Sequence, residues 1–293
     1  MKIRMISDVL KEQYGEKIYR LALSSGCTCP NRDGTVGTGG CTFCSEGGSG
    51  EFASAPAPVA EQIEKAKALV RGKTAGQHFI AYFQSFTNTY GDMDRLRRLY
   101  EETVALEDIA VLALGTRPDC LDDRMIAMLS ELNKKKLVWV ELGLQTANDE
   151  TASRINRCYP RSTFEDAYNR LKAAGLTVVV HLIFGLPGES EEDMLASVRY
   201  LSGLTPPPDG VKLHLLQILR GTRLGEDFTR EPWPVMSLSE YAELLVKALR
   251  LLPPETVIHR LTGDGPKKLL LAPLWCADKK TVLNTIRKRI AEA

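Results

Sequence analysis

The sequence predicts an α/β protein with a mainly parallel sheet, and three features of its 293 residues lead there. Six apolar segments of strand length recur along the chain, each separated from the next by helix-forming sequence, the order that makes βαβ crossovers. Several are continuous apolar runs, as expected where helices cover both faces of a parallel sheet. After "TPPPDG" and "REPWP" the pattern changes to one richer in helix. Six βα units suit a doubly wound sheet, and they suit equally an incomplete (β/α)6 barrel of the TIM type.

In chain order, "KIYRLAL" (Lys17–Leu23) reads as the first strand and runs straight into a glycine- and cysteine-rich loop. A helix pattern over Val59–Arg71 precedes the strand "HFIAYF" (His78–Phe83). Helix Met93–Ala105 precedes "IAVLAL" (Ile109–Leu114), and helix Asp122–Leu132 precedes "LVWVELGL" (Leu137–Leu144). A helical region through Leu171 leads to "LTVVVHLIFG" (Leu176–Gly185), and helix Glu191–Ser202 to "VKLHLLQIL" (Val211–Leu219). Helix Ser239–Leu252, a short strand "TVIHRL" and a lysine-rich terminal helix follow. Residues 1–226 are therefore expected to form the core, with the cysteine loop at 24–50, and residues 227–293 a C-terminal α/β extension packed on it.

Lys plus Arg (38) balances Asp plus Glu (37), so net charge points to neither nucleic acid nor a membrane, although a local basic patch remains compatible with it. The first twenty residues lack the apolar run of a signal peptide, and no segment approaches membrane-spanning length. A cytoplasmic protein with no membrane partner is expected. Seven cysteines in a large chain without an export signal argue against a disulfide framework.

Three of those cysteines concentrate the chemistry. "CPNRDGTVGTGGCTFC" holds Cys29, Cys41 and Cys44 in the spacing C-x11-C-x2-C, directly after the first strand. In parallel barrels function sits at the carboxyl ends of strands. The glycines let the loop bend until distant thiolates converge. Three thiolates can hold three irons of a cubane cluster and leave the fourth iron open. A zinc site is the competing reading, because CxxC is also a zinc half-motif. Cys27 is a poor fourth zinc ligand, since in extended chain it points away from Cys29. Cys27, Cys120, Cys158 and Cys276 are scattered without CxxC spacing, so no second cluster is expected.

The strand, the cysteine loop and the further βα units together resemble the radical S-adenosylmethionine (SAM) superfamily. Within it, "CPNRDGTVGTGGCTFC", "FQSFTNTYG", "ELGLQTANDETASRINR", "HLIFGLPGE", "VKLHLLQILRGT" and "RLTGDGP", in that order, resemble the YhcC/YtqA-like group, related to elongator-type radical SAM proteins. The resemblance runs from about Tyr14 to about Trp275 and implies a partial (β/α)6 barrel. It implies a [4Fe-4S] cluster on Cys29, Cys41 and Cys44 whose open iron binds SAM. Electron transfer then yields methionine and a 5′-deoxyadenosyl radical that takes a hydrogen from substrate.

The same resemblance implies the SAM contacts. Phe43 is placed to pack on the adenine, with simple core contact as its alternative. Gln145 is expected on the ribose and Arg157 on the SAM carboxylate, which a guanidinium can clamp with two bonds. The second strand of relatives ends in a glycine-rich turn for the SAM amino group. Here "YFQSFTNTY" stands instead, so Gln84 and Thr87 are expected to supply oxygen acceptors. His181 occupies a ribose-contact position or is a satisfied core histidine. Backbone atoms around Ile218 would meet the adenine edge.

The resemblance also implies a reducing donor such as flavodoxin or ferredoxin. It makes a tRNA wobble-uridine side chain the leading substrate, with a small metabolite or peptide as the alternative. Lys134–Lys136, Lys267, Lys268, Lys279, Lys280 and Arg287–Arg289 are candidate phosphate contacts. Trp233, Trp275 and Tyr159 are candidate planes for a splayed base. A zinc-stabilised interaction module without catalysis is the reading from another class.

Overall fold

A computed structural model of the chain describes residues 1–48, 50–73 and 76–293. Ser49, inside the expected cluster loop 24–50, lies outside the described residues. The expected strands form as β1 (Tyr19–Leu23), β2 (Phe79–Phe83), β3 (Ile109–Thr116), β4 (Leu137–Gln145), β5 (Thr177–Phe184) and β6 (Gly210–Leu215). They pair in parallel and strictly in chain order. A doubly wound sheet would reverse its strand order at a switch point, so the open choice resolves to the partial barrel.

The run "VKLHLLQIL" does not stay one strand. It breaks after β6, and β7 (Ile218–Leu219) leaves the sheet to pair antiparallel with β9 (Leu270–Ala272). The place beside β6 goes to β8 (Val257–Arg260) from the C-terminal extension, which continues the sheet in parallel as a seventh strand. The sheet curls until its outer strands approach: Arg20 on β1 reaches His259 on β8 at 3.0 Å.

Helices cover the outside: α2 (Val59–Val70), α3 (Met93–Ala105), α4 (Asp123–Asn133), α5 (Asp149–Arg154), α6 (Arg161–Ala173), α7 (Glu191–Ser202), α8 (Arg223–Arg230), α9 (Leu238–Leu251) and α10 (Lys279–Glu292). Their starts carry sequence signals. Asp92 and Asp122 accept from the third backbone N–H of α3 and α4. Ser190 and Ser237 form capping boxes with Asp193 and Glu240. Each such cap stabilises its helix by about 0.5–2 kcal/mol.

One further helix decides where the cavity lies. The sequence reading gave no element to the N-terminus, yet α1 (Ile6–Tyr14) forms there. Its Ile6, Leu10 and Tyr14, four apart and so on one face, join Ile80, Val111, Trp139 and Val179 in one apolar cluster inside the curl. These strand residues lie near the strand starts, so α1 stops the amino end of the barrel. Two residues further along, the inward positions become Tyr82, Glu141, His181 and Lys212, and beyond them Gln84, Gly143, Ile183 and His214. The period of two carries each strand from an apolar plug through a charged layer to an open cavity. Among the described residues no helix is long and apolar enough to cross a membrane.

Candidate active site

The cavity occupies about 270 Å³ at the carboxyl ends of the strands. Cys29, Cys41 and Cys44 line it together with Phe43, Gln84, Thr87, Gln145 and His181. Eight of the ten residues singled out by sequence therefore face one space, from four separate stretches of chain.

The loop that brings the thiols there is held by its own backbone and by one remote turn. Cys44 N–H donates to Cys41 O at 2.9 Å and Arg32 N–H to Cys29 O at 2.8 Å, closing two short turns around the sulfurs. Gly39 and Gly40 both take left-handed φ (76° and 77°), which a side chain would resist. Fully buried Asn31 donates to Asn156 O at 2.6 Å and lies 3.8 Å from the Cys41 sulfur. Asn156 in turn donates to Gly40 O at 2.8 Å. The loop is thus laced to the turn after α5.

The seven cysteines are present as thiols. Cys41 is pushed up to about 12, first by removal from water and then by Cys44, with Arg117 opposing and Cys29 adding. Thiols that hinder one another's ionisation suit a cation between them, because a bound metal deprotonates its thiols outright. Among the described residues no three His, Cys, Asp or Glu side chains close on a single ion point. One zinc would need its thiolates about 2.3 Å from the metal, whereas on a cubane each thiolate binds its own iron. The donor set fits the cluster.

One expected contact is corrected. Arg157 does not reach the cavity: it is fully buried and every guanidinium N–H is taken. It donates to Leu144 O (2.6 Å), Thr146 O (2.7 Å), Tyr159 O (3.1 and 2.9 Å) and Asp149 Oδ1 (3.0 Å). Left-handed Asn156 and Cys158 (φ 54° and 63°) fold the chain so that this side chain runs back beneath the end of β4. The side chain of Ile218 packs in a separate apolar cluster, while its neighbours Gln217 and Leu219 line the cavity.

Among the described residues Arg32, Arg117 and Arg260 line the cavity, and Arg117 stands one residue past β3. Asp119 engages its Nε (2.9 Å) and Nη2 (2.7 Å). Tyr159 also lines the cavity, its ring between the Arg117 and Arg157 guanidinium carbons at 4.8 and 4.6 Å. Its hydroxyl lies 3.0 Å from Gln145 Oε1. Gln145 itself sits at a register shift with left-handed φ of 62°. A Cβ on Gly143 would stand 2.5 Å from Gln145 Nε2 and 3.5 Å from the Tyr159 hydroxyl. Gly143→Ala is expected to displace Gln145 and raise the Kd for SAM at least about tenfold, a loss of about 1.4 kcal/mol; equilibrium dialysis of the reconstituted variant checks this.

Beneath these groups lies the charged layer, most of which the sequence reading missed. Fully buried Glu141 pairs with Arg20 at 2.9 Å, with His181 Nε2 at 3.1 Å and with Lys212. Lys212 Nζ also donates to the Tyr82 hydroxyl at 3.1 Å. Burial alone would raise the Glu141 carboxyl, but Lys212 and Arg20 hold it well below the ordinary range. His181 falls to about 4, chiefly through burial and then through Lys212, against the pull of Glu141. His214 and His259 are lowered too, burial being the first cause in each.

A buried neutral histidine gives a definite pH signature. Between about pH 6.5, the free imidazole value, and about 4 the unfolded chain takes up a proton that native His181 refuses. Its contribution is complete above that window and is lost as pH falls through it. Denaturant titrations are expected to show stability declining across this range, with a shallower slope in His181→Gln.

The fold is a partial barrel whose cavity opens at the carboxyl ends of its strands beside three loop thiols. The chain belongs to the radical SAM superfamily: that family's model matches residues 28–201, and the Radical_SAM C-terminal domain matches 208–292. It is 39% identical over 282 residues to YtqA of Bacillus subtilis, covering 96% of this chain and 87% of YtqA. It is 36% identical over 280 residues to YhcC of Escherichia coli, covering 95% and 89%. Among solved structures it resembles archaeal Methanocaldococcus infernus Elp3, with TM-score 0.66 at 18% identity, over 79% of this chain and 59% of that one. The last likeness shows the fold. The chain is therefore an enzyme, its cofactors are a [4Fe-4S] cluster and SAM, and the zinc alternative gives way.

Proposed function

We propose that this radical SAM enzyme acts on tRNA, at the C5 substituent of an already modified wobble uridine. The observation that carries the reading is the rim of the cavity. Residues 263–265 line the cavity, and Asp264 among them pairs with Lys279 at 2.6 Å. Arg220, Lys267, Lys268 and Lys280 are exposed beside or within reach of this loop, with Lys279 held by Asp264, a basic border suited to phosphates. Other basic runs do not contribute. Lys136 donates to carbonyls of Leu106 and Ile109 at the amino end of the barrel, and Arg289 pairs with Glu243. Trp233 packs edge-on against Phe228, and Trp275 donates to Met236 O, so neither is a ready plane for a base.

In this reading Cys29, Cys41 and Cys44 hold three irons of the cluster. Gln84 and Thr87 face the SAM amino group, Gln145 and Phe43 its ribose and adenine, and Arg117 replaces Arg157 at its carboxylate. When bound, cluster and SAM supply reductive cleavage of the sulfonium and a carbon radical; flavodoxin or ferredoxin supplies the electron. The protein orients the substrate and keeps water out. The test is the nucleoside profile of tRNA from a strain lacking the gene. A wobble nucleoside is expected to be lost and its precursor to accumulate, and an unchanged profile contradicts the reading. Lys267→Ala with Lys268→Ala should weaken tRNA binding and lower the salt slope by about one per phosphate contact.

A further inference from the structure

The inner layer of a parallel barrel is normally filled by branched apolar side chains. Here it holds Glu141 and Lys212, both essentially without exposure, with Arg20 behind them and Arg260 on β8 beside them. Apolar residues of similar volume in place of a buried ion pair are often neutral or stabilising, so stability does not account for these charges. Their balance is uneven. Lys212 and Arg20 pair with one carboxylate, Glu141, and Arg260 stands near Lys212, while the other cavity carboxylates, Asp264 and Glu51, are engaged by Lys279 at the rim and by the Ser45 hydroxyl.

One polar atom there also lacks a mate. Nε2 of His214, two residues beyond Lys212 on the same face of β6, is shielded from solvent without a hydrogen-bond partner. Buried polar atoms are nearly always paired, so an orphan in a cavity wall calls for a partner entering from the cavity.

We propose that the floor of the cavity receives an anionic group of the substrate, a carboxylate or a phosphate, between Lys212, Arg260 and His214. Glu141 is the positioning residue: by pairing with Lys212 and His181 it fixes the ammonium in the layer and leaves the positive surplus for the ligand. Neutral His214 donates through Nε2, and Arg260 offers a fork that matches either oxyanion. The inference rests on reading this cavity as the SAM and substrate site, and it sets the chemical class of the group that enters beneath SAM.

The test measures anion binding directly, so it stands or falls separately from the tRNA profile. Reconstituted, SAM-loaded enzyme is titrated calorimetrically with sodium acetate and with inorganic phosphate, against chloride at equal ionic strength. Wild type is expected to bind acetate or phosphate above the chloride background, and the favoured probe tells a carboxylate site from a phosphate site. Arg260→Gln, His214→Phe and the paired Glu141→Gln/Lys212→Met are each expected to weaken that binding at least tenfold. The paired variant avoids stranding a buried carboxylate, and the two single variants leave the ion pair intact. Binding no stronger than chloride, or unaltered in all three variants, overturns the proposal.

Discussion

Alanine in place of Cys29, Cys41 or Cys44 is expected to lower the iron retained after anaerobic reconstitution from about four per chain to below one. Reductive SAM cleavage should fall with it by a factor on the order of a thousand, as when a step loses about 4 kcal/mol of support. The three cysteines line one cavity, and Cys44 and Cys29 both act on the Cys41 thiol, which supports the reading that each holds a separate corner of one cluster. The remaining cysteines give the control. Cys120 and Cys276 lie outside the cavity lining, and alanine there should leave iron and sulfide unchanged. A full cluster in any one of the three ligand variants contradicts the assignment.

Lys212→Met is expected to destabilise the fold by about 3–5 kcal/mol, because it leaves Glu141 ionised in a dry layer with only Arg20 and a neutral histidine. Adding Glu141→Gln should recover most of that loss, since an uncharged pair no longer demands compensation. Denaturation midpoints of the two single variants and the pair close a double-mutant cycle. A cost below about 1 kcal/mol for Lys212→Met would show the layer to be wet and its ion pair weak.

The two readings differ in how the sequence displayed them. The thiols were legible because three reactive side chains stood at a defined spacing after a strand, and local chain geometry brought them together. The strands were legible from apolar runs, and the choice between barrel and doubly wound sheet was settled by pairing order, which no local pattern encodes. The charged layer was present as Glu141 within "LVWVELGL" and Lys212 within "VKLHLL". A charge inside an otherwise apolar strand was the available signal. Its meaning depended on partners 71 residues apart in sequence.

Arg157 shows the opposite failure. Its surroundings in sequence suggested a carboxylate clamp, but left-handed Asn156 and Cys158 turn it inward to satisfy carbonyls at the end of β4. Arg117 carried a quieter signal, an arginine one residue past a strand end, where barrel chemistry collects. Helix α1 escaped notice because only three of its nine residues, Ile6, Leu10 and Tyr14, each four apart, form its inward face. They suffice because the barrel's open end supplies the other side of the contact.

The most direct test of the central claim is quantitation of 5′-deoxyadenosine and methionine after one-electron reduction of the anaerobically reconstituted chain with SAM. The account predicts both products in equal amounts, dependent on each of Cys29, Cys41 and Cys44. An iron-loaded chain that binds SAM yet forms neither product under reduction would contradict it.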